Sequence, residues 1–235
     1  MKTASVFVGL MHCPPGRHDA FLEWHDLDHR PENVGQIAHL FHSARWIAPP
    51  ESLSSRESRA GGPVTEAGEY LLTYWSTASP QQLKSDMFVL RDRLAALGRC
   101  QPMERDFTIG WREYMHPVRA YVDPHLGFSS DTVPLMPHDG VVLTVGREPD
   151  DGGLWSAEYD REILPGLFAG GSLVSALTLT TTPEAEQPRF VHLHYTRGNP
   201  VEVQQQIRAA VGTKPRVDYR AAYVPQHWSE PRYYR

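Results

Sequence analysis

The sequence contains an internal repeat, which limits the possible folds more than any other feature. At an offset of 134 residues, WHDLDHRP at residues 24–31 aligns with EYDREILP at residues 158–165. At an offset of 120 residues, EYLLTYWSTASPQQL at residues 69–83 aligns with RFVHLHYTRGNPVEV at residues 189–203. A repeat of this length predicts two similar structural units in one chain. Positions where the copies agree indicate the fold, and positions where they differ point to function.

The repeat divides the 235 residues into two predicted units. We predict an N-terminal unit over residues 1–118 with the active site, a linker over residues 119–138, and a C-terminal unit over residues 139–235 with a degenerate site. Because the offset falls from 134 to 120 residues between the two aligned segments, the first copy contains about fourteen extra residues. These lie between residues 49 and 68, where Pro, Ser, Gly and charged residues predict a mobile loop.

Each copy has the pattern of four strands and two helices. Apolar, β-branched and aromatic segments predict strands at residues 5–11, 41–47, 70–76 and 107–114, and again at residues 140–146, 173–180, 190–196 and 217–224. Apolar residues three to four apart predict a helix after the first strand. This helix ends at Pro31 in one copy and at Pro165 in the other, because proline lacks the amide donor. The second helix begins at Pro80 or Pro200, where a missing donor costs nothing.

The element order β-α-β-β-α-β describes a split β-α-β unit, in which both helices cover one face of a four-stranded antiparallel sheet. The other face of the sheet is left bare. Two such faces packed together bury each other. We therefore predict an α+β fold of two ferredoxin-like repeats packed sheet to sheet, which amounts to a dimer fused into one polypeptide.

The composition limits the classes of molecule that the protein can bind. The net charge is −5 and the basic residues are scattered, which argues against a nucleic-acid surface. No apolar run approaches the ~18 residues of a membrane-spanning helix. Cys13 and Cys100 form neither a disulfide framework nor a metal-binding spacing, so we predict a cytoplasmic protein. The predicted partner is a small-molecule substrate, with no nucleic acid and no membrane, and a homodimer is left open.

Residues 25–29 of the first copy, HDLDH, carry the ionisable groups that suggest chemistry. His25 and His29 are one helical turn apart on the same face, and Asp26 and Asp28 flank them. A carboxylate beside an imidazole can fix its tautomer and raise its pKa, which suits a general acid or base near neutral pH. We predict these four residues as catalytic, with His29 first and His25 second. The alternative is that His29 only caps the helix C-terminus.

The first copy also concentrates aromatic and imidazole side chains. The predicted substrate-binding residues are Trp24, His42, Trp46, Tyr74, Trp111 and His12. Because alternate strand residues face opposite ways, Tyr74 and its neighbour Trp75 cannot both line one cavity. Core packing is the alternative for each residue singly, but their density favours a flat, apolar or aromatic ligand.

Two histidines four residues apart also allow a zinc interpretation, as in HExxH. In HDLDH an aspartate replaces the glutamate, and no third ligand has a diagnostic spacing. A haem group is a further alternative, but no residue identifies its ligand. We predict neither a cofactor nor a metal.

The segment FLEWHDLDHRPENVGQIAHLFHSARWIAP resembles the dimeric α+β barrel proteins of the EthD-like kind, which carry roughly W-[YH]-D-x-[ED]-H-x-P on a helix before the second strand. The motif positions fall on Trp24, His25, Asp26, Asp28, His29 and Pro31. Tyrosine is more usual at the position of His25, and the second copy keeps it as Tyr159 while Ile163 replaces His29. The resemblance implies an intramolecular dimeric α+β barrel. It implies no single reaction, since related barrels include dehydratases, monooxygenases, cyclases, decarboxylases and haem proteins.

From these features we predict a small cofactor-independent enzyme that acts on an apolar or aromatic carbonyl compound. Histidine-mediated proton transfer would serve a dehydratase-like or cyclase-like lyase reaction. Two alternatives remain, a non-catalytic small-molecule binding protein and a metal- or haem-dependent oxygenase.

Overall fold

The computed structural model describes residues 2–64, 68–100, 107–147, 155–181, 188–212 and 216–226. In the first half, the strand and helix pattern of the sequence is present with one small addition between the second and third long strands. The elements are β1 (Ser5–His12), α1 (His18–Trp24), a π-helical turn (His25–His29), α2 (Arg30–Gln36), β2 (Leu40–Ile47), α3 (Pro50–Ser55), β3 (Glu57–Ser58), β4 (Tyr70–Ser76), α4 (Pro80–Ala96) and β5 (Thr108–Val122).

The second half repeats this order after two short 3₁₀ turns, Pro124–Leu126 and Ser130–Leu135. Its elements are β6 (Gly140–Arg147), α5 (Trp155–Glu158), a second π-helical turn (Tyr159–Ile163), α6 (Leu164–Ala169), β7 (Leu173–Thr180), β8 (Phe190–Thr196), α7 (Pro200–Val211) and β9 (Arg216–Pro225). The predicted strands all occur, so period-two alternation located them correctly. Among the described residues, no helix is long and apolar enough to cross a membrane.

The strands form one continuous antiparallel sheet that closes on itself. Their order is β2-β4-β1-β5-β7-β8-β6-β9, and β2 pairs back onto β9 through Trp46 with Pro225 and Ile47 with Val224. Closure leaves neither half with a bare sheet edge at this junction. The predicted fold class, two ferredoxin-like repeats that form an intramolecular α+β barrel, is confirmed.

Strand β5 is longer than the sequence predicted and joins the two halves. Its first part pairs with β1, and its second part, from His116 to Val122, pairs with β7. The pairing therefore continues beyond residue 118, into the segment predicted as a linker. Without this pairing, the sheet of each half would have an unpaired edge at this position. The single long strand β5 provides hydrogen-bond partners for both edges. The domain limits themselves remain a prediction.

Alternation along the strands separates two kinds of core. The barrel interior buries one set of residues, among them Val6, Val8, Leu10, Trp46, Trp75 and Trp111. The opposite face of the first-half sheet packs against the helices through another set, among them Phe7, Met11, Phe21, Leu72 and Tyr74. Tyr74 and Trp75 thus lie on opposite faces, as predicted.

The first helix does not end at Pro31, and that prediction was wrong. It continues through the π-helical turn into α2 and ends at Gln36. In the wider turn the amide of Arg30 donates to the carbonyl of His25, five residues back. This change of hydrogen-bond pattern directly before Pro31 accommodates a residue that normally breaks a helix. The second half uses the same arrangement before Pro165.

The segment between residues 49 and 68 is not the mobile loop that its composition predicted. In its described part it forms α3 and β3, and β3 pairs with β9 through Glu57 with Arg220. The side-chain amide of Gln204 on α7 donates to the carbonyl of Ser55 at 2.8 Å. The insertion of the first half is therefore anchored on the second half.

Candidate active site

A cavity of about 210 Å³ lies between the first-half sheet and its helices. Its wall is mainly apolar and includes Phe7, Met11, Trp24, Leu72, Phe88 and Phe107. The polar groups that face it include His25, His29, Asn33, Tyr74 and Tyr114. An apolar cavity of about 150 Å³ can hold a benzene molecule, so this one has room for a small aromatic compound.

His25 is the polar residue most firmly held in this cavity. It lies in the π-helical turn, and its side chain is 1% exposed. Nδ1 lies 2.9 Å from Oδ1 of Asp26, and Nε2 lies 3.3 Å from the hydroxyl of Tyr74. Burial lowers the pKa of His25 and outweighs the opposing effect of Asp26, so the ring is neutral. The network assigns the proton to Nδ1, which donates to the carboxylate, and Nε2 accepts from Tyr74.

Asp26 is held by Arg45 of β2. The guanidinium donates from Nε to Oδ1 at 2.9 Å and from Nη2 to Oδ2 at 2.5 Å. Burial by itself would raise the pKa of Asp26, but the hydrogen bonds from His25 and Arg45 outweigh it and hold the pKa well below its usual range. Arg45 also donates to the side-chain and backbone oxygens of Gln226, each at 3.0 Å. The carboxylate is therefore ionised and fixed, and it fixes His25 in turn.

His29 has a different environment. The side-chain amide of Asn33 donates to Nε2 of His29 at 3.0 Å, and the ring stacks on Trp24 with centroids 4.5 Å apart. Burial, with a smaller effect of His25, lowers the pKa of His29 to about 3. The ring is neutral, and the lone pair of Nε2 is already engaged. The two imidazoles lie 6.0 Å apart and share the cavity wall.

Among the described residues, the structure does not bring a carboxylate to His29. Asp26 contacts His25 and Arg45, and Asp28 pairs with Arg99 at 2.5 Å, where both side chains are partly exposed. The predicted assistance of His29 by Asp26 or Asp28 therefore has no contact to support it. The catalytic roles of the four residues remain predictions.

Two of the predicted substrate-binding residues, Trp24 and Tyr74, line the cavity. Trp46 and Trp111 belong to the barrel interior, on the far side of the sheet. His42 lies beside the irregular pairing of β2 and outside the cavity wall. His12 also lies outside it, with Nδ1 2.7 Å from Oε1 of Glu69.

Sequence reasoning missed several residues of the site. Asn33 is four residues after His29 on one helix, and this spacing was a usable signal. Arg112 and Tyr114 are two residues apart on β5 and therefore lie on the same face of the sheet. Both could have been assigned to the cavity once the orientation of that face was known. Arg45 carried no local signal, because its partner Asp26 is 19 residues away on another element.

The second half retains the histidine–tyrosine pair with the partners exchanged. Tyr159 aligns with His25, and His194 aligns with Tyr74. The Tyr159 hydroxyl contacts Nε2 of His194, so the helix now supplies the phenol and the strand the imidazole. His192 stacks on Tyr159 with centroids 4.2 Å apart and occupies the position of Leu72. The second copy therefore keeps one histidine of this pair, on the strand, although Ile163 replaces His29.

Among the described residues, no group of three or more His, Cys, Asp or Glu side chains is arranged to hold a metal ion. The polar residues of the cavity are instead joined in pairs and chains. The longest runs from Gln226 through Arg45, Asp26 and His25 to Tyr74.

No family model matches this chain, and no curated protein matches it. Solved structures do match over nearly the whole length. One is a candidate chlorite dismutase, with a TM-score of 0.55 and 14% identity over 97% of this chain and 96% of that one. Another is a dye-decolorizing protein from Vibrio cholerae, with a TM-score of 0.53 and 11% identity over 96% and 95% of the two chains.

A DypB variant from Rhodococcus jostii, solved in complex with heme, has a TM-score of 0.55 and 11% identity over 96% and 94% of the two chains. A candidate monooxygenase from Fusobacterium nucleatum has a TM-score of 0.50 and 7% identity over the same shares. At these identities the likeness establishes the fold, a ferredoxin-like α+β barrel. It does not single out EthD-like proteins.

Proposed function

We propose that the first half contains an enzyme active site. In this site His25 accepts a proton from a small apolar or aromatic carbonyl substrate. One observation carries this proposal: the buried chain from Arg45 through Asp26 and His25 ends at Tyr74 inside the apolar cavity. A neutral imidazole whose Nδ1–H is held by a carboxylate presents the lone pair of Nε2 as a base. We infer as well that the chain is EthD-like, because His25, Asp26 and His29 keep the motif positions.

In this proposal a substrate carbonyl enters between Nε2 of His25 and the hydroxyl of Tyr74. Burial raises the pKa of Tyr74, so its phenol stays protonated and donates a hydrogen bond to the carbonyl oxygen. Nε2 removes a proton from the adjacent carbon, and the electron pair of the C–H bond moves through the carbon–carbon bond onto the oxygen. Asp26 then stabilises the imidazolium. Such general base catalysis typically contributes about 10²–10⁴-fold in rate.

A lyase reaction would follow if the enolate expels a leaving group. The proton on His25 would pass to a departing hydroxyl, and the carbon–oxygen bond would break to release water. This reaction is the dehydratase-like reaction predicted from the sequence, with His25 in place of His29 as the base. His29 then forms part of the wall, since among the described residues Asp26 contacts His25 and Asp28 pairs with Arg99, which leaves neither to stabilise an imidazolium at His29.

Exchange of α-hydrogens in D₂O tests the proposal without knowledge of the natural substrate. We expect the protein to deuterate an aromatic ketone such as 2-tetralone, followed by NMR, and His25→Ala to lower the rate by about 10²-fold or more. Asp26→Asn should also slow exchange, and His39→Gln, a change at an exposed residue, should not. Absence of exchange above the buffer rate across a panel of aryl ketones would remove the proposal. Binding without exchange would favour the binding-protein alternative.

A second candidate is a haem-dependent oxygenase or peroxidase. The comparisons favour it over a cofactor-free lyase, because a protein in complex with heme and a candidate monooxygenase share this fold. The chemistry of His25 also fits, since metal-bound histidines usually donate their other ring N–H to a carboxylate.

The available space does not fit haem. The cavity of about 210 Å³ is smaller than the roughly 300–1,000 Å³ of pockets for drug-sized ligands. Titration with hemin tests this candidate. A Soret band that depends on His25 would favour the haem enzyme over the proton-transfer enzyme.

A further inference from the structure

The rim of the cavity carries two arginines that the proton-transfer chain does not use. Arg91 of α4 and Arg112 of β5 both border the cavity and are both exposed. Their guanidinium carbons lie 4.5 Å and 5.8 Å from the ring centroid of Phe88, which lies between them in the wall. The contact with an aromatic face limits the freedom of each guanidinium.

The charges of this rim are only partly balanced. Arg91 pairs with its neighbour Asp92 at 2.6 Å, with both side chains more than half exposed. Within the described part of the chain, Arg112 has no carboxylate at salt-bridge distance. Exposed pairs such as that of Arg91 and Asp92 contribute little to stability, so a ligand can replace them at small cost. Among the described residues, the rim therefore carries more basic than acidic groups, and the cavity beneath it is apolar.

Tyr114 connects the rim with the interior. Its ring packs edge-on against Phe7 with centroids 5.1 Å apart. Burial raises the pKa of the Tyr114 phenol, and the positive charges of Arg112 and Arg91 act in the opposite direction. Both guanidiniums thus act on a group that already lies on the cavity wall, not on a distant surface.

We propose that the substrate of this site carries a carboxylate, which Arg112 binds at the rim with help from Arg91 while the apolar body fills the cavity. This rests on the proposed function and names its substrate class, an aromatic or apolar oxo acid. A guanidinium matches the planar carboxylate with two parallel hydrogen bonds, which an exposed ammonium could not reproduce. The carboxylate would then lie opposite His25, and the carbonyl would point inward toward Tyr74.

The test compares two ligands of nearly the same size and shape, the anionic 2-naphthoate and the neutral 2-naphthamide. We expect the wild-type protein to bind naphthoate about tenfold more tightly than the amide, by calorimetry at low salt, and high salt to reduce this difference. Arg112→Gln should lower naphthoate affinity about tenfold and leave naphthamide affinity within twofold. Arg91→Gln should cause a smaller loss of the same kind. Arg93→Gln is the matched control, because Arg93 is exposed on the same helix but outside this cavity.

Equal affinity of the wild-type protein for the acid and the amide would overturn the proposal. An equal loss of naphthoate affinity in the Arg93 variant would overturn it too. His25→Ala separates this result from the proposed function, since it should slow ketone exchange by about 10²-fold or more and still bind naphthoate. Exchange without a preference for the acid would reject only the carboxylate. A preference for the acid without exchange would reject only the proton transfer.

Discussion

At the scale of single residues, burial decides which histidines can act as bases. His25 and His29 are both neutral because burial disfavours the imidazolium, but within the described part of the chain only His25 has a carboxylate at Nδ1. Desolvation makes a base available, and the carboxylate stabilises its charged form after proton transfer. Asp26 therefore distinguishes two imidazoles on one helix face, of which His25 is also the more deeply buried.

The buried His194 predicts a pH dependence of stability. Burial, followed by the charge of Arg220, lowers its pKa to about 3, whereas an unfolded histidine has a pKa of about 6.5. Between these values the unfolded state binds the extra proton, so the free energy of unfolding falls as the pH decreases from 6.5 toward 3. One such group changes the slope by up to about 1.4 kcal/mol per pH unit.

We expect His194→Gln to remove from this slope the contribution of about one bound proton. Urea denaturation at several pH values measures it. Glutamine still offers a polar partner to Tyr159 and does not titrate. His125→Gln, a change at an exposed residue, should leave the slope as in the wild type. An unchanged slope in the His194 variant would contradict the prediction.

At the scale of elements, the π-helical turns and the inserted segment set the shape of the site. Each π-helical turn ends two residues before a proline and presents one member of a histidine–tyrosine pair to its sheet. Such turns are frequent at functional sites, because they reorient side chains within an otherwise regular helix. Their occurrence in both halves indicates that the turn belongs to the repeated unit itself.

The contact between β3 and β9 predicts a measurable stability effect. Arg220 is 1% exposed, and its charge is balanced by Glu57 at 2.9 Å. Glu57→Ala leaves the guanidinium buried with only the hydroxyl of Thr144 as an acceptor in the described contacts. We expect a loss of about 2–3 kcal/mol in the free energy of unfolding.

The double variant Glu57→Ala with Arg220→Met should recover much of this loss, because no buried charge then remains. Denaturant unfolding of the two single variants and the double variant gives the coupling energy. Additive losses would show that the pair does not interact. Glu51→Ala, an exposed acid on α3, is the control.

At the scale of the whole molecule, barrel closure links the second half to the site in the first. Strand β2 pairs with β9, and one residue beyond β9 Gln226 accepts two hydrogen bonds from Arg45. Arg45 in turn holds Asp26. The C-terminal half therefore supports the orientation of His25, although it contributes no residue to the cavity wall within the described chain.

Gln226→Ala tests this link. It removes the side-chain acceptor of Arg45 and keeps the backbone acceptor, so we expect a cost of about 1–2 kcal/mol in the free energy of unfolding. Exchange of ketone hydrogens should slow, with ketone affinity little changed, because the base is misoriented while the cavity is intact. Gln226→Asn keeps an amide and should restore part of the rate. Wild-type exchange in the alanine variant would show that closure and catalysis are independent.

The sequence alone was sufficient to locate the repeat, the strands and the two facings of Tyr74 and Trp75. These follow from periodicity along the chain, which depends only on neighbouring residues and on burial. The same local rules failed in two places. At Pro31 a π-helical turn lets the helix continue past the proline, and in the insertion the pairing of β3 with β9 orders a segment whose composition predicted a loop.

Only the tertiary structure decided which imidazole has a carboxylate, which aromatic residues face the cavity, and where the rim is positive. Arg45 reaches Asp26 because strand register and helix position bring two elements together. The repeat alignment pairs His25 with Tyr159 and Tyr74 with His194, but only the structure shows that the two members of each pair are in contact. Such pairs depend on distances across the fold, and no pattern along the chain encodes them.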